Sequence, residues 1–172
     1  MEYFENEYVV VDLETTGLSP FNGNEIIEIG VTEINGDNVG NNYSRFVKPK
    51  NPIPDLITNL TNITDEMVKD APLIEDVLPK FREYIGDKTI IAHNAKFDIG
   101  FLNYYLEKLN LPLIDKYICT MEMLKRNREY KGRNNKLQTA CDYYGILNEN
   151  AHRADSDTLA TAKLFMSIRK SM

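Results

Sequence analysis

Two acidic residues end an apolar stretch near the start of the chain, in the segment VVVDLETTG at residues 9–17. Asp12 and Glu14 are two residues apart, so in a β-strand their side chains share one face, ~6.6 Å apart along the strand. Two carboxylates this close repel each other unless a cation lies between them. Hard divalent cations prefer such oxygens, so the pair is a candidate metal site. The alternative is a solvated strand end with a turn after it.

A third carboxylate, Asp98, lies in the segment HNAKFDIGFLNYYLEKLN at residues 93–110. Its helical face also carries the apolar residues at spacings of three, four, seven and eleven: Phe101, Leu102, Tyr105 and Leu109. That face packs on a sheet, where a carboxylate needs a partner or a metal. The alternative is that Asp98 only stabilises the helix start. Because Asn94 is the better-placed N-cap, we favour the metal.

The segment HRADSD at residues 152–157 supplies a histidine and a further acid at the start of the last helix. Histidine titrates near neutral pH and is suited to act as a general base. Asp157 shares its helical face with a mostly apolar stripe, whereas Asp155 shares its face with a mixed set of residues that we expect to reach solvent. We therefore interpret Asp157 as the functional acid and Asp155 as an N-cap or first-turn charge. Four acids and one histidine are the groups that two-metal phosphodiester hydrolysis requires.

The elements that must position these residues form a mixed α/β pattern. Strands are expected at 8–13, 26–34, 42–49, 88–92 and near 116–119, with NGDN at 35–38 as a hairpin turn. Helices are expected at 74–85, about 95–109, after 119, and from near Asp155 to about Lys170, and short helical pieces at 51–67 with Thr64 as an N-cap. Such an order predicts a mixed sheet with helices on its faces.

Length and composition predict one globular domain over residues 1–172, because 172 residues with 42% hydrophobic content can bury a core. No apolar run reaches the ~18 residues of a membrane helix. The N-terminal MEYFENEY lacks the order of a signal peptide, and Cys119 and Cys141 form neither a disulfide framework nor a metal-ligand pair. We therefore expect a cytoplasmic protein with no membrane partner.

The motifs DLETTG, HNAKFD and HRADSD resemble, in order and spacing, the three motifs of the DnaQ-like, or DEDDh, 3′→5′ exonucleases. The resemblance covers roughly residues 7–168. Within that family the chain is most similar to the proofreading epsilon subunit and to the exonuclease domain of PolC-type DNA polymerase III. It implies a ribonuclease H-like fold, a five-stranded mixed sheet flanked by helices.

The resemblance also implies roles for individual residues. The metal-site acids are then Asp12, Glu14, Asp98 and Asp157, with Asp12 bridging two Mg²⁺ or Mn²⁺ ions. His152 deprotonates the water that attacks the terminal phosphodiester of single-stranded DNA, and the products are nucleoside monophosphates. The substrate is a single-stranded or frayed 3′ end, and a DNA polymerase is a possible partner.

Contacts to the substrate are also implied by the resemblance. The segment LTNIT at 60–64 takes the place of a family segment that touches the terminal nucleotide, with Asn62 where glycine is usual. Further candidates lie beside the acids, so the full set is Thr15, Leu60, Thr61, Ile63, Asn94 and Phe97. Base contacts are expected to be stacking, because proofreading accepts any sequence.

The net charge of −6 argues at first against a nucleic-acid partner. Two divalent cations add four positive charges, which leaves about −2. The stretch KRNREYKGRNNK at 125–136 is basic and either holds substrate phosphates or is a solvated loop.

Two other functions stay open. One is an RNA 3′ exonuclease of the ribonuclease T or oligoribonuclease type, distinguished by its tolerance of a 2′-hydroxyl. The other is a non-catalytic nucleic-acid-binding module. The second is disfavoured because all five catalytic positions carry the required residue.

Overall fold

Five strands form one sheet in the computed structural model, which describes residues 7–172. Part of the segment used to exclude a signal peptide, residues 1–6, lies outside the described residues. The strands are β1 (Glu7–Thr15), β2 (Ile26–Asn35), β3 (Asn38–Phe46), β4 (Thr89–Ala92) and β5 (Tyr117–Cys119). Their order is β3-β2-β1-β4-β5. β2 pairs antiparallel with both β1 and β3, and β4 pairs parallel with both β1 and β5. The predicted mixed sheet is therefore confirmed.

Two strands differ from the predicted bounds by two residues or more at one end. β3 begins earlier than the predicted 42–49, because the hairpin turn consists of Gly36 and Asp37 alone, and it ends earlier because its pairing with β2 stops at Phe46. Gly36 has a φ of 64°, which a glycine adopts without a steric penalty. β1 continues to Thr15, because its pairing with β2 persists through Glu14. Asp12 and Glu14 therefore lie inside the strand, where they pair with Gly30 and Glu28 of β2.

Within the described part of the chain, seven α-helices surround this sheet. They are α1 (Asp55–Thr61), α2 (Asp65–Val68), α3 (Ile74–Ile85), α4 (Ala95–Lys108), α5 (Thr120–Arg126), α6 (Leu137–Tyr144) and α7 (Ala154–Lys170). The bounds of α3 match those predicted, and the predicted cap of α2 is confirmed, since the Thr64 hydroxyl accepts a hydrogen bond from the Met67 N–H. No helix of residues 7–172 is long and apolar enough to cross a bilayer.

The alternation of side chains along β1 sends its residues to two separate cores. Val9, Val11 and Leu13 pack with α3 and α4 on one face of the sheet. Tyr8 and Val10 pack on the other face, with the buried side of α7 and with α5 and α6. Each such buried side chain contributes about 1.5–3 kcal/mol to stability. Asp12 and Glu14 continue the second series, so the packing of β1 directs both carboxylates toward the face that α7 covers.

Candidate active site

Three carboxylates meet where β1 and the start of α7 come together. Asp12, Glu14 and Asp157 each place an oxygen within 4.8 Å of those of the other two. The Asp12 Oδ2 atom is buried, and no group of residues 7–172 donates a hydrogen bond to it. A buried acceptor without a donor is costly unless a cation completes it. The oxygen-only donor set and this open acceptor fit a hard divalent cation.

The electrostatics of the cluster support the same interpretation. Burial first, and then the charges of Asp98 and Glu14, raises the pKa of Asp12 well above its usual range. Burial and the charge of Asp157 raise the pKa of Glu14 to about 9. Burial also raises the pKa of Asp157, although hydrogen bonds from Asn148 and His152 oppose this rise. The carboxylates are thus poorly tolerated together as anions, and bound cations would keep them ionised.

Asp98 lies beside this cluster on α4 and is only 2% exposed. Its Oδ1 accepts a hydrogen bond from the Leu13 N–H at 3.1 Å, which ties α4 to the peptide between Asp12 and Glu14. Burial raises the pKa of Asp98 to about 8, and this hydrogen bond lowers it in part. The predicted helical face of Asp98 is correct, since Phe101 and Leu102 are buried in the core. Asp98 is thus close enough to Asp12 to perturb its ionisation, although it lies outside the group of three.

Asn94 occupies the predicted N-cap position of α4, but its side chain does not cap the helix. Asn94 precedes α4, but its backbone is left-handed, with φ 65° and ψ 57°, and its side chain makes no capping hydrogen bond. The first N–H of the helix, from Ala95, is donated to Cys119 Sγ at 3.3 Å instead. The Asn94 side chain is exposed and so remains available to a ligand.

The predicted register of α7 is correct for Asp157. It is 8% exposed, and the residues predicted to share its face are buried: Ala160, Thr161, Leu164, Phe165 and Ile168. Its two oxygens accept hydrogen bonds from Asn148 Nδ2 at 2.8 Å and from the His152 N–H at 3.1 Å. These contacts hold the carboxylate in one orientation. Asn148 was missed from the sequence, where nothing distinguishes it from an ordinary loop residue.

Of the two alternatives for Asp155, the first-turn charge is confirmed, because Arg153 is the N-cap of α7 and Asp155 lies in the first turn of the helix. The expectation that its side of the helix reaches solvent needs correction. Two residues on the side of Asp155, Thr158 and Ala162, are fully buried rather than facing solvent. The reason is that α7 packs on the sheet and also against α5 and α6, so it buries more than one stripe.

His152 lies next to the acids on an exposed turn. Its backbone is left-handed, with a φ of 67°, which is uncommon for a residue with a Cβ atom. The hydrogen bond from its N–H to Asp157 fixes the backbone beside the cluster. The structure therefore brings the predicted base and one predicted metal ligand into direct contact through the main chain.

The predicted substrate contacts divide into accessible and buried side chains. Leu60 is 51% exposed, and Phe97 is half-buried with its ring 5.1 Å from that of Phe101. Thr15 is 8% exposed, and its hydroxyl donates to the Gly17 carbonyl at 2.7 Å. Thr15 directly follows Glu14, and Phe97 directly precedes Asp98. Leu60 is the first residue of the LTNIT segment.

Thr61 and Ile63 do not present their side chains to a ligand, which corrects that expectation. The Thr61 hydroxyl donates to the Ile57 carbonyl and accepts from the Ile63 N–H, at 2.8 and 3.1 Å. Ile63 is fully buried among Ile27, Ile53 and Val68. Asn62 ends α1 in a left-handed conformation, with φ 62° and ψ 16°. Asparagine tolerates this conformation better than most residues, which explains how it replaces the glycine usual in this family segment.

The basic stretch 125–136 joins α5 to α6 and is tied to the rest of the molecule. Asn127 Nδ2 donates to the Tyr144 hydroxyl, and the Asn135 carbonyl is 2.8 Å from His93 Nε2. Its role toward phosphates remains a prediction. A separate cleft of about 360 Å³ lies on the opposite face of the sheet, beside Val31, Tyr43 and Tyr84. None of the predicted site residues lines it, so its shape does not bear on the acidic cluster.

Comparison with known sequences identifies the class of protein. The family model described as exonuclease matches residues 9–165. The chain therefore belongs to the exonuclease family, whose members are hydrolases, as its three motifs predicted. Relatives include the PolC-type DNA polymerase III of Caldanaerobacter subterraneus subsp. tengcongensis, 42% identical over 168 residues, and that of Bacillus subtilis, 41% identical over 172 residues. These matches cover 98% and 96% of this chain but 12% of each relative.

Solved structures agree with the fold. Exonuclease X in complex with 5′ overhanging duplex DNA is 29% identical, with a TM-score of 0.76 over 95% of this chain and 92% of that one. The nuclease domain of 3′hExo, described as a DEDDh family member bound to rAMP, is 19% identical, with a TM-score of 0.83 over 97% and 93% of the two chains. The predicted ribonuclease H-like fold is thereby confirmed.

Proposed function

We propose that this chain is a 3′→5′ exonuclease that removes nucleoside monophosphates from the 3′ end of single-stranded DNA, in proofreading or repair. The observation that carries the proposal is the meeting of the Asp12, Glu14 and Asp157 carboxylates around a buried acceptor that lacks a donor. The match to the exonuclease family supports it.

Two divalent cations, Mg²⁺ or Mn²⁺, fit the acidic cluster. Asp12, Glu14 and Asp157 would hold them, with Asp98 beside the group and tied to it through the Leu13 N–H. When bound, the cations neutralise charge on the scissile phosphate and generate the nucleophile from water. The chain itself contributes rigidity, because all four acids are fixed: Asp12 and Glu14 by β1 pairing, Asp98 by the Leu13 N–H, and Asp157 by hydrogen bonds from Asn148 and His152.

His152 acts as the general base in this proposal. Its side chain is exposed on a turn whose main chain is bonded to Asp157, so it can approach a water beside the acidic cluster. Thr15, Leu60, Asn94 and Phe97 contact the terminal nucleotide, through their side chains or through the adjoining backbone. Thr61 and Ile63 contribute by shaping the backbone on which Leu60 lies.

DNA is the proposed substrate because relatives about 40% identical are named as DNA polymerases. The frayed end of a primer is then the natural substrate, and a polymerase the natural partner, whether in the same polypeptide or another. In this proposal the chain works with the replication machinery in the cytoplasm. Residues 1–172 are proposed to be one exonuclease domain.

Identification of the reaction product tests the proposal. Single-stranded DNA is incubated with the protein in Mg²⁺, in Mn²⁺ and in EDTA, beside the variant Asp12→Asn. We expect nucleoside 5′-monophosphates with either metal, and none in EDTA or with Asp12→Asn. Release of oligonucleotides instead, or undiminished activity in EDTA, would contradict the proposal.

A further inference from the structure

A buried carboxylate outside the acidic cluster, Glu28 on β2, is bonded to the segment that carries His152. Glu28 is fully buried. Its Oε2 accepts from Arg153 Nη2 at 2.9 Å, and its Oε1 accepts from Arg153 Nε at 3.3 Å and from the Ala154 N–H at 2.8 Å. One side chain of the sheet thus binds the two residues that directly follow His152.

These contacts take the place of an ordinary helix cap. Arg153 is the N-cap residue of α7, and its own side chain makes no capping hydrogen bond. The carboxylate of Glu28 supplies the acceptor for the Ala154 N–H, and a negative charge at a helix N-terminus is also favourable. The sheet therefore supplies the acceptor for the first N–H of α7, which the side chain of the N-cap residue does not provide.

Neighbouring strand residues hold the same turn close to the sheet. A Cβ atom at Gly30 would lie 2.3 Å from the Ala154 carbonyl oxygen, so only glycine permits this approach. Asn42 Nδ2 of β3 donates to the Asp155 carbonyl at 2.9 Å. The segment after His152 thus has little freedom to move relative to β2 and β3.

His152 itself depends on this anchoring. Its left-handed φ of 67° is a conformation that a residue with a Cβ atom keeps only when its surroundings impose it. The acceptor of its N–H, Asp157, fixes one side of the turn, and the Glu28 contacts fix the other. Without Glu28, the turn can relax toward a more favourable φ, which moves the imidazole.

We propose that Glu28 is a positioning residue for the hydrolysis, acting through Arg153 and the Ala154 N–H to hold His152 at its working place. The inference rests on the proposed role of His152 as the general base. Arg153 also neutralises Glu28, which faces Glu14 directly across the β1–β2 pair. The pairing offsets part of the Glu28 charge while it anchors the turn, although Glu28 still adds to the rise in the pKa of Glu14.

A double-mutant cycle between Glu28→Gln and His152→Ala tests this inference. Rates are measured by single-turnover degradation of single-stranded DNA in saturating Mn²⁺, with the metal concentration for half-maximal rate as a second readout. We expect Glu28→Gln to lower the maximal rate by on the order of 10- to 100-fold, since a misplacement of ~1 Å has that effect. The enzyme concentration and the metal concentration that give the half-maximal rate should each change by less than about threefold.

The His152→Ala background separates positioning from stabilisation. There, Glu28→Gln should lower the remaining rate by less than about twofold, because the side chain being positioned is absent. An equal loss in both backgrounds would overturn the inference and leave the proposed function intact. A near wild-type rate for His152→Ala alone would overturn both the role of His152 and this inference.

Glu33→Gln is the matched control. Glu33 is a carboxylate of the same strand whose partner, the Tyr84 hydroxyl, lies on α3 at the opposite face of the sheet. We expect Glu33→Gln to lower the melting temperature. At temperatures where this variant is folded, its rate should equal that of the wild type. If Glu28→Gln does not fold, Arg153→Met takes its place in the cycle, since the Arg153 side chain is 26% exposed and is more easily replaced. A smaller loss of rate in the His152→Ala background then supports the inference, and an equal loss in both backgrounds overturns it.

Discussion

Glu14 and Glu28 are direct register partners in the antiparallel pair of β1 and β2, yet their carboxylates have different surroundings. Glu28 is bonded to Arg153 and to the Ala154 N–H, whereas Glu14 lies with Asp12 and Asp157. Like charges facing each other across two strands are destabilising. Glu28 is paired with an arginine, whereas Glu14 has only acidic neighbours in the cluster and is the one that we propose as a ligand for a cation.

Metal-free protein should become more stable as the pH falls from about 9 to 7. The pKa values of Glu14 and Asp98 are raised to about 9 and about 8 in the folded protein. The unfolded chain has its ordinary values near ~4, so in this range the folded state binds more protons and gains stability as pH decreases. Thermal melts in EDTA across this range check the slope.

Saturating Mg²⁺ should reverse this dependence, because cations bind the ionised carboxylates and stabilise the folded state more at high pH. Glu14→Gln should flatten the slope measured in EDTA, since it removes one of the four acids whose pKa is raised. A melting temperature in EDTA that falls steadily from pH 9 to 7 would show that these acids are not held together as described.

Asp157→Asn should abolish hydrolysis while leaving the melting temperature equal or slightly raised in EDTA. The carboxylate lies in the acidic group of three, and its removal relieves repulsion with Asp12 and Glu14. Asp155→Asn is the matched control, because Asp155 lies in the first turn of α7 outside that group. Its rate and its melting temperature should both stay near wild type. A dead Asp155→Asn beside an active Asp157→Asn would refute the register of α7.

The acids of the site could be predicted because each one breaks a local rule. Asp12 and Glu14 interrupt an apolar strand, and Asp98 and Asp157 lie on apolar helix faces. The burial of Thr61 and Ile63 could not be predicted, since it depends on α1 folding back onto β2 and α2. Asn148 bonds to Asp157 and Arg153 bonds to Glu28 through tertiary contacts. The periodicity of the sequence does not indicate such contacts.

His152→Ala should lower the rate by roughly 10²- to 10⁴-fold, the usual contribution of a general base. Metal binding should persist, because the His152 side chain is exposed and only its main-chain N–H bonds to Asp157. Mn²⁺ binding by calorimetry, beside the single-turnover rate, measures both properties. A variant that has lost metal binding together with activity would assign His152 to the metal site instead.

Gly30→Ala should slow hydrolysis and destabilise the fold by about 1–3 kcal/mol, as expected for overpacking. Its new methyl group would meet the Ala154 main chain and push the start of α7 from β2. Gly100→Ala is the control, because a Cβ atom there meets nothing within 4 Å and alanine favours the middle of a helix. It should keep wild-type activity and gain up to about 1 kcal/mol of stability. Denaturant unfolding and single-turnover rates decide whether the two glycines differ as predicted.

The polarity and sugar preference of degradation test the account most directly. A 5′-labelled single-stranded DNA is incubated with the protein in Mg²⁺ beside an RNA of the same sequence. A 3′-labelled copy of the DNA is included to report the first event. We expect the 5′-labelled DNA to shorten through a ladder of intermediates, the 3′ label to be released at once as a mononucleotide, and the RNA to be degraded more slowly. Immediate release of the 5′ label as a mononucleotide, or faster loss of the RNA than of the DNA, would contradict the account.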